Sequence, residues 1–375
     1  MFVRGSTGVQ DLLALDHFYF HPLVYSYSFG HDHPLKPERL RRTLALLAEV
    51  APDVAPRKPE LAEEKDLERV HTHDYVNAVH SLSAGDPLPG GLTADYGFAS
   101  QDNPPFPDMF EAARAYTGGG VAAAQAVKQG EALAFNIGGG LHHAMPSRAS
   151  GFCIFNDVAI SAHILRERFD RVASLDIDLH HGDGTQAIFA DDPSVLTYSI
   201  HQSGGTLYPG SGFPGEVAPE KAAVNVPLPP ETSGDVWIDA FRTTCLPALE
   251  RFQPQAIVLQ MGCDPHFNDP LGHLRLTVAE WLLAVEEVKA LDLPLVATGG
   301  GGYHLDNVPR MWVGAILTLL GKEVPEKLPE NLAQEWGLTK FHDDQDPGLK
   351  QQGLDEAKAV VDQVVDTVLP RLPSP

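Results

Sequence analysis

The sequence predicts an α/β fold in which helices cover both faces of a parallel sheet. Short runs of β-branched and apolar residues alternate along the chain with longer segments of helical periodicity. Within the short runs the apolar residues are nearly continuous, which is typical of parallel strands buried on both faces. A chain that alternates strands with helices pairs its strands in parallel through crossover connections, and this pattern defines the fold class.

Five runs are predicted as strands because each is short, apolar and bounded by Gly, Asp, His or Pro. Four segments are predicted as helices because their apolar residues recur at helical spacing, as the leucines at positions 40, 44 and 47 do. The predicted strands are 133–137, 172–177, 195–200, 256–261 and 293–298. The predicted helices are 38–50, 109–128, 236–252 and 277–291.

The composition is that of an ordinary globular protein, and one domain spanning residues 1–375 is expected. With 43% hydrophobic and 21% charged residues, the chain can bury a sizeable core without disulfides. Its length exceeds a typical domain of about 100–200 residues, but α/β domains often run longer. Cys153, Cys245 and Cys263 have no CxxC spacing, so a metal site would use oxygen and nitrogen ligands.

The chain is strongly acidic, which disfavours direct binding of nucleic acid or of an anionic membrane. Lys and Arg number 27 against 50 Asp and Glu, which gives a formal net charge of -23. A cationic substrate, such as a lysine-bearing protein tail or an amine, is attracted instead. Residues 1–6 lack a signal-peptide pattern and no apolar run approaches the ~18 residues of a membrane span, so a cytoplasmic location is predicted.

Polar and glycine-rich segments follow four of the five predicted strands. In parallel α/β sheets, ligands bind in the crevice beyond the carboxyl ends of the strands. We therefore expect His, Asp and Tyr side chains from different strands to meet at one rim of the sheet. These segments are 138–143, 176–183, 262–264 and 299–303.

Aspartate and histidine side chains after two of these strands have the pattern of a catalytic metal site. Asp176, Asp178 and His180 alternate along an extended segment, so their side chains project from one face. Two of them with Asp264 give a set of Asp, His and Asp ligands that leaves a position open for water and substrate. The alternative is a polar strand end satisfied by water and helix N-termini, and the density of the cluster favours a metal.

Paired histidines and a tyrosine are candidates for the remaining chemistry. His142 and His143 suit proton transfer during hydrolysis, and each needs a carboxylate such as Asp176 or Asp183 to fix its tautomer. The hydroxyl of Tyr303, after four glycines, can donate to the oxyanion that forms when an amide is attacked. A phosphate-binding turn is the alternative, but the run lacks a following Lys and a GxGxxG spacing.

Five ordered motifs resemble those of the histone deacetylase superfamily, and the similarity extends over nearly the whole chain. The motifs are 138–143 (GGGLHH), 150–157 (SGFCIFND), 176–184 (DIDLHHGDG), 262–264 (GCD) and 299–303 (GGGGY). Segments 33–39, 269–272 and 276–277 continue the pattern. In appearance the chain is most similar to the bacterial acetoin-utilisation branch of the superfamily.

The resemblance implies an arginase/deacetylase-type three-layer α/β sandwich with a central, mostly parallel, eight-stranded sheet. It also implies a narrow tunnel that leads to Zn²⁺, with Fe²⁺ as the alternative metal. The implied metal ligands are Asp178, His180 and Asp264. The implied catalytic residues are His142, His143, Asp176, Asp183 and Tyr303, with Asp176 and Asp183 behind the two histidines in that order.

Further roles follow from the resemblance alone. His143 is implied to act as general base and acid, while His142 is mainly electrostatic. Arg39 is implied to line an exit route for acetate. The implied substrate-binding residues are Asp102, Gly151, Phe152 and Tyr208. An implied structural K⁺ is held by backbone oxygens of Asp176, Asp178 and His180 together with Ser199 and Ile200.

The predicted function is zinc-dependent hydrolysis of the acetyl amide of acetyl-lysine, with release of acetate. The expected partner is an acetylated protein or acetylated amine, and metabolic enzymes such as an acyl-CoA synthetase are the expected protein substrates. An acetylpolyamine deacetylase and a non-catalytic module that binds acyl-lysine are alternatives. A binuclear manganese ureohydrolase is a further alternative, but it requires additional Asp ligands and no tyrosine donor. No particular oligomeric state is predicted.

Overall fold

A parallel β-sheet forms the centre of the protein in the computed structural model, which describes residues 17–218, 221–343 and 350–375. Residues 1–6, which were examined for a signal pattern, lie outside the described residues. The strands follow the order β1-β6-β5-β2-β3-β4, and every neighbouring pair is parallel. They are β1 (Leu133–Asn136), β2 (Val172–Asp176), β3 (Val195–Gln202), β4 (Ala223–Leu228), β5 (Ala256–Gln260) and β6 (Leu295–Thr298).

Helices alternate with these strands and pack in two groups. In one group α5 packs against α6 and β1, and in the other α10 packs against α1 and α9. No helix within the described ranges combines the length and apolar character of a membrane span. The helices are α1 (Glu38–Val50), α2 (Glu64–Leu67), α3 (His73–Ser83), α4 (Leu92–Asp95), α5 (Met109–Gln129), α6 (Asp157–Arg166), α7 (Asp183–Phe189), α8 (Gly234–Phe252), α9 (Val278–Ala290), α10 (Asn307–Leu320), α11 (Glu330–Trp336) and α12 (Leu354–Gln363). Shorter 3-10 or π turns span Pro22–Ser26, Pro89–Gly91, Val364–Val368 and Leu369–Arg371.

The α/β class and the parallel sheet are confirmed, and all five predicted strands are present with small differences at their ends. Strand β4 was missed. Its segment contains Asn225 and Pro227, which are uncommon in strand interiors. Because β4 lies at the edge of the sheet, the missing N–H of Pro227 costs no central ladder hydrogen bond.

The predicted count of eight strands is not confirmed, because the described residues form six. Two single-residue parallel bridges lie beyond β1: Phe18 pairs with Phe135, and Tyr19 pairs with Arg57. Their backbone hydrogen bonds include Tyr19 N to the Phe135 carbonyl at 2.8 Å and Arg57 N to the Phe18 carbonyl at 2.7 Å. Both segments thus extend the sheet edge but pair over too short a length to form strands.

The strand register brings the polar segments together at one edge. At the ends of three neighbouring strands, Asp176 pairs with Gln260, and Gln260 pairs with Thr298. On the far side of β6, Asn136 pairs with Thr298. Four strands therefore end in one row, and the segments that follow them begin side by side.

A buried ion-pair network ties the loop after α11 to α9 and α10. The side chain of Asp343 accepts hydrogen bonds from His266 Nε2 at 3.1 Å and from Arg310 Nη2 at 2.9 Å. It also accepts one from the backbone N–H of Val278, the first residue of α9, at 2.7 Å. Burial acts to raise the pKa of Asp343, but His266 and Arg310 lower it from its ordinary value of 3.8 to about 2.

We predict that Asp343→Asn lowers the free energy of unfolding near pH 7 by about 2 kcal/mol. Since the pKa of the folded state lies below the ordinary value, this stabilisation is present above about pH 4 and is lost as the pH falls toward 2. Denaturant unfolding of both proteins between pH 7 and 3 measures the effect. The difference in free energy of unfolding between the parent and Asp343→Asn should be smaller at pH 3 than at pH 7.

The matched control is Asp362→Asn, which removes an exposed carboxylate that pairs with Lys358 on α12. Exposed pairs of this kind contribute little, so this variant should stay within about 0.5 kcal/mol of the parent. Equal stability of Asp343→Asn and the parent at pH 7 would contradict the role given to the network.

Candidate metal centre and substrate tunnel

Three buried side chains converge at the carboxyl edge of the sheet. Asp178 and His180 follow β2, and Asp264 follows β5, the neighbouring strand. One ligand atom from each lies within 4.8 Å of the others. His180 Nδ1 is 3.2 Å from Asp178 Oδ1 and 3.1 Å from Asp264 Oδ2. The structure therefore brings together the three residues that the sequence predicts as metal ligands.

Hydrogen bonds fix the orientation of both carboxylates. Asp178 Oδ2 accepts from the Gln260 side-chain amide and from the Gly301 backbone N–H, both at 2.7 Å. Asp264 Oδ1 accepts from the backbone N–H of Leu179 at 2.9 Å. The atoms Asp178 Oδ1 and Asp264 Oδ2 are thereby left facing His180 Nδ1, where a cation would bind.

Glycines and tryptophans hold the backbone close to these carboxylates. A Cβ atom at Gly262 would lie 2.0 Å from Asp178 Oδ2, and one at Gly301 would lie 2.1 Å from Asp264 Oδ2. Only glycine allows such a close approach. A hydrogen bond from α9 holds the loop that carries Asp264, because the Trp281 indole N–H donates to the Gly262 carbonyl at 3.0 Å. On the same loop, the Trp312 indole N–H donates to the Met261 carbonyl at 2.8 Å.

The buried negative charges of Asp178 and Asp264 favour binding of a cation beside His180. Burial and the neighbouring charge of Asp178 raise the pKa of Asp264 to about 6. Burial acts to lower the pKa of His180, but its hydrogen bonds to Asp178 and Asp264 raise it to about 10. In the metal-free protein a proton on His180 therefore balances part of the negative charge. Two carboxylates and one imidazole form an oxygen and nitrogen donor set that fits a divalent cation such as Zn²⁺.

The paired histidines lie beside this cluster, each with its own carboxylate. His142 Nδ1 is 2.7 Å from Asp176 Oδ2, and His143 Nδ1 is 2.6 Å from Asp183 Oδ1. The Nε2 atoms of the two rings are 3.1 Å apart. An imidazole that donates from Nδ1 to a carboxylate presents Nε2 for chemistry, so both rings aim Nε2 inward. Each pairing is the one that the sequence predicts.

The two rings have opposite pKa shifts. Burial acts to lower the pKa of His142, but the charges of Asp176 and Asp178 raise it to about 9. Burial and the charge of His142 lower the pKa of His143 to about 4, despite the hydrogen bond to Asp183. At neutral pH His142 is therefore protonated on both nitrogens, whereas His143 is neutral with an unprotonated Nε2. A bound divalent cation would lower the pKa of both rings.

Tyr303 stands at the end of the glycine run after β6 with a protonated hydroxyl. Burial and the nearby charges of Asp264 and Asp178 raise the pKa of the phenol well above its usual value, so it can donate a hydrogen bond throughout the physiological range. The backbone N–H of Tyr303 donates to Asp269 Oδ2 at 2.8 Å, which anchors this residue to the loop after β5.

A tunnel of about 200 Å³ leads from the surface to the cluster. The ring of Phe152 meets that of Tyr303 edge-on, with 5.9 Å between centroids, and Tyr208 meets His143 edge-on at 5.1 Å. Asp102 and Gly151 also line it. The full lining is Asp102, His143, Gly151, Phe152, His180, Leu207, Tyr208, Leu271 and Tyr303.

The remaining predicted residues lie outside the tunnel. Arg39 is buried beneath the glycine run, and its Nη1 donates to the Gly300 carbonyl at 2.7 Å and to the Gly302 carbonyl at 3.1 Å. It lines a separate cavity of about 20 Å³. Ser199 and Ile200 lie on β3 next to the end of β2, and Ser199 Oγ is 2.8 Å from His201 Nδ1. An acetate route and a K⁺ site at these places stay predictions.

Three supporting residues were missed from the sequence. Gln260 orients Asp178, and Asp269 anchors Tyr303. Asp157, the first residue of α6, accepts from the backbone N–H groups of Gly140 and Leu141 at 2.9 Å and so shapes the turn before the paired histidines. Gln260 carried a usable signal, because it is a polar residue near the end of an otherwise apolar strand.

Known proteins similar to this chain support one family assignment. The Histone deacetylase domain matches residues 33–319. The acetoin utilization protein AcuC of Bacillus subtilis (strain 168) is 38% identical over 338 residues, which cover 85% of this chain and 86% of that protein. Histone deacetylase 6 of Arabidopsis thaliana is 35% identical over 323 residues (84% and 68%), and histone deacetylase 1 of Homo sapiens is 35% identical over 320 residues (84% and 66%).

The resemblance drawn from the five motifs is thus confirmed, including the similarity to the acetoin-utilisation branch. The matched region contains the Asp178, His180 and Asp264 cluster, the paired histidines and Tyr303. The chain belongs to the histone deacetylase family and is a hydrolytic deacetylase.

Proposed function

We propose that this enzyme hydrolyses the acetyl amide of acetyl-lysine in proteins, using one Zn²⁺ held by Asp178, His180 and Asp264. The observation that carries the proposal is the tunnel, which ends at this cluster and has His143 and Tyr303 in its wall. A narrow tunnel with aromatic walls suits the apolar stem of an acyl-lysine, because the stem loses water while the peptide stays outside.

When bound, Zn²⁺ supplies Lewis acidity that polarises a carbonyl and lowers the pKa of water. Two carboxylates and one imidazole fill three positions and leave room for substrate. Fe²⁺ accepts the same donor set and is the second candidate. We also propose a structural K⁺ at backbone oxygens of Asp176, Asp178 and His180 with Ser199 and Ile200.

His143 is proposed as the general base and then the general acid. Its Nε2 is unprotonated at neutral pH, because burial and the charge of His142 disfavour the imidazolium form of this ring. Asp183 holds Nδ1–H and stabilises the imidazolium once Nε2 has taken a proton from water. That proton then passes from Nε2 to the leaving amine of lysine. His142, paired with Asp176, contributes positive charge beside the reacting carbonyl.

Tyr303 is proposed as the donor to the oxyanion. Its phenol remains protonated, lines the end of the tunnel and lies beside the carboxylates that would hold the metal. A donor fixed before the reaction stabilises the tetrahedral oxyanion more than the planar amide carbonyl, and this difference lowers the barrier.

Phe152 and Tyr208 are proposed to grip the lysine stem, with Gly151 leaving room between them. A Cβ atom at Gly151 would lie 2.4 Å from the ring of His143 and 2.9 Å from that of Tyr208. Asp102, at the mouth, is proposed to accept hydrogen bonds from the substrate backbone, and Arg39 to line the route by which acetate leaves.

The proposed setting is the cytoplasm, with residues 1–375 acting as one catalytic domain on acetylated metabolic enzymes such as an acyl-CoA synthetase. The similarity to AcuC, which is named for acetoin utilization, supports a metabolic role. The net charge of -23 attracts the lysine-rich surfaces on which acetylation occurs. The same charge also attracts polyamines, so an acetylpolyamine is the second candidate substrate.

The test of this function is hydrolysis of acetyl-lysine peptides and acetylpolyamines side by side, with and without a chelator. We expect the peptides to have the higher kcat/KM, chelation to abolish the activity, and added Zn²⁺ to restore it. A higher kcat/KM for acetylpolyamines would favour the second candidate. If the zinc-loaded protein hydrolysed neither class of substrate, the result would favour the alternative of a non-catalytic module that binds acyl-lysine.

We predict that Tyr303→Phe lowers kcat by about 100- to 1,000-fold, because one preorganised oxyanion donor is lost. KM should change far less, since the amide carbonyl gains little from this donor before attack. Steady-state kinetics on an acetyl-lysine peptide measure both constants. The matched control is Tyr25→Phe, in a tyrosine that packs on Phe20 and Arg41 away from the tunnel. An equal loss of kcat in both variants would argue against the assignment.

A further inference from the structure

The tunnel residue Phe152 has a backbone conformation that its surroundings must maintain. Its φ angle is 68°, in the left-handed region that few residues other than glycine adopt. Two hydrogen bonds hold this backbone: the N–H donates to Asn103 Oδ1 at 3.3 Å, and the carbonyl accepts from the Tyr27 hydroxyl at 2.8 Å. A strained conformation of this kind persists only where several contacts fix it, and such residues cluster at functional sites.

The side chain of His33 contacts both this wall and the rim of the tunnel. His33 is buried, and its ring meets that of Phe152 edge-on with 4.4 Å between centroids. Its Nε2 lies 3.2 Å from the backbone carbonyl oxygen of Asp102. His33 precedes α1 and is distant in sequence from both residues, so it joins two segments that meet at the mouth of the tunnel.

The neighbouring groups determine which nitrogen of His33 carries the hydrogen. The backbone N–H of Leu35 is a donor 3.1 Å from Nδ1, so Nδ1 must accept. The carbonyl oxygen of Asp102 is an acceptor, so Nε2 must donate. Burial lowers the pKa of His33 below its ordinary value of 6.5, which favours the neutral ring at neutral pH. One neutral tautomer therefore satisfies both hydrogen bonds.

The direction of the Asp102 carboxylate depends on the backbone that carries it. The side chain is exposed at the mouth of the tunnel and accepts no hydrogen bond from the residues that the structure describes. The backbone here is held through the bond from His33 Nε2 to the Asp102 carbonyl and through the bond between Asn103 and Phe152. Loss of the His33 bond would leave the carboxylate present but less well placed.

We propose that His33 is a positioning residue for peptide substrates: it holds Asp102 where the carboxylate can accept from the substrate backbone, and it supports the Phe152 ring beside the lysine stem. This inference rests on the proposed function, since it needs acetyl-lysine in the tunnel. A substrate without backbone amides gains nothing from the placement of Asp102. The bond from His33 to Asp102 therefore favours peptides over small acetylated amines.

Two variants of His33 separate its hydrogen bonds. In His33→Gln the side-chain amide N–H lies near the position of Nε2 and can donate to the Asp102 carbonyl. In His33→Asn the side-chain oxygen lies near the position of Nδ1 and can accept from Leu35 N–H, but no donor reaches Asp102. Both variants lose the ring beside Phe152, so they share that effect.

We expect kcat/KM for an acetyl-lysine peptide to be about 3- to 10-fold higher in His33→Gln than in His33→Asn, as for one hydrogen bond. The difference should lie in KM, because Asp102 would bind the peptide backbone equally before and during attack on the amide. N-pentylacetamide has the acetyl amide and an alkyl stem but no peptide backbone. On this substrate the two variants should have equal kcat/KM.

The matched controls are His31→Gln and His31→Asn, at an exposed histidine of the same segment that pairs with the exposed Asp32. Both should have the kcat/KM of the parent on both substrates.

Removal of the Asp102 carboxylate tests its part in the effect. In an Asp102→Ala background, the two His33 variants should hydrolyse the peptide with equal kcat/KM, because the group that His33 positions is gone. Heteronuclear NMR of the ring nitrogens in the parent provides a second measurement. It should show His33 as a neutral ring with its hydrogen on Nε2. A His33 ring that carries a hydrogen on Nδ1 would overturn the inference.

The outcomes separate this inference from the proposed function. Equal kcat/KM of His33→Gln and His33→Asn on the peptide would overturn the role of His33 and keep the proposed function. The same would follow if the two variants differed by one factor on both substrates, since this would be a general effect on the tunnel. If the zinc-loaded parent hydrolysed neither substrate, the proposed function would fail. Dissociation constants of the peptide for the same zinc-loaded variants would then decide the role of His33, with the same ratio expected.

Discussion

The site depends on two carboxylates that are buried together. Asp178 and Asp264 are 1% and 0% exposed, and both face the same nitrogen of His180. Buried carboxylates without a balancing charge are strongly disfavoured, and one protonated imidazole balances only part of theirs. A divalent cation would balance the charge of both carboxylates. Hydrogen bonds from Gln260 and the Gly301 backbone hold Asp178 Oδ2, so that Asp178 Oδ1 faces the His180 ring.

The strand register brings these residues together. Because β2 and β5 are neighbours and Asp176 pairs with Gln260, the residues that follow them enter the same small volume. The adjoining end of β6 brings the glycine run and Tyr303 alongside, while β1 leads into the paired histidines. The metal-ligand candidates, the paired histidines and Tyr303 therefore meet at one point although they follow four different strands, and the loops above them form the tunnel.

The sequence could predict what depends on local pattern. Helix α1 has the predicted bounds of 38–50, and the buried strands are apolar runs. The predicted ligands Asp178 and His180 do lie together, but β2 ends at Asp176 and residues 178–180 form a bend, so the predicted alternation along an extended segment is wrong. The sequence could not predict β4, because its Pro227 is tolerated only at a sheet edge. It also could not predict that the segments beyond β1, at Phe18 and Arg57, pair through single-residue bridges and form no strands. It also missed Asp269, because the importance of this residue comes from Tyr303, a partner that is distant in sequence.

The most direct test of the account is anomalous X-ray diffraction at the zinc edge from crystals of the zinc-loaded enzyme. The account predicts one Zn²⁺ per chain, about 2.0–2.2 Å from an oxygen of Asp178, an oxygen of Asp264 and Nδ1 of His180. A second Zn²⁺ held by the same carboxylates, as in a binuclear site, would contradict it. So would a cation bound elsewhere while His180 keeps its hydrogen bonds to both carboxylates.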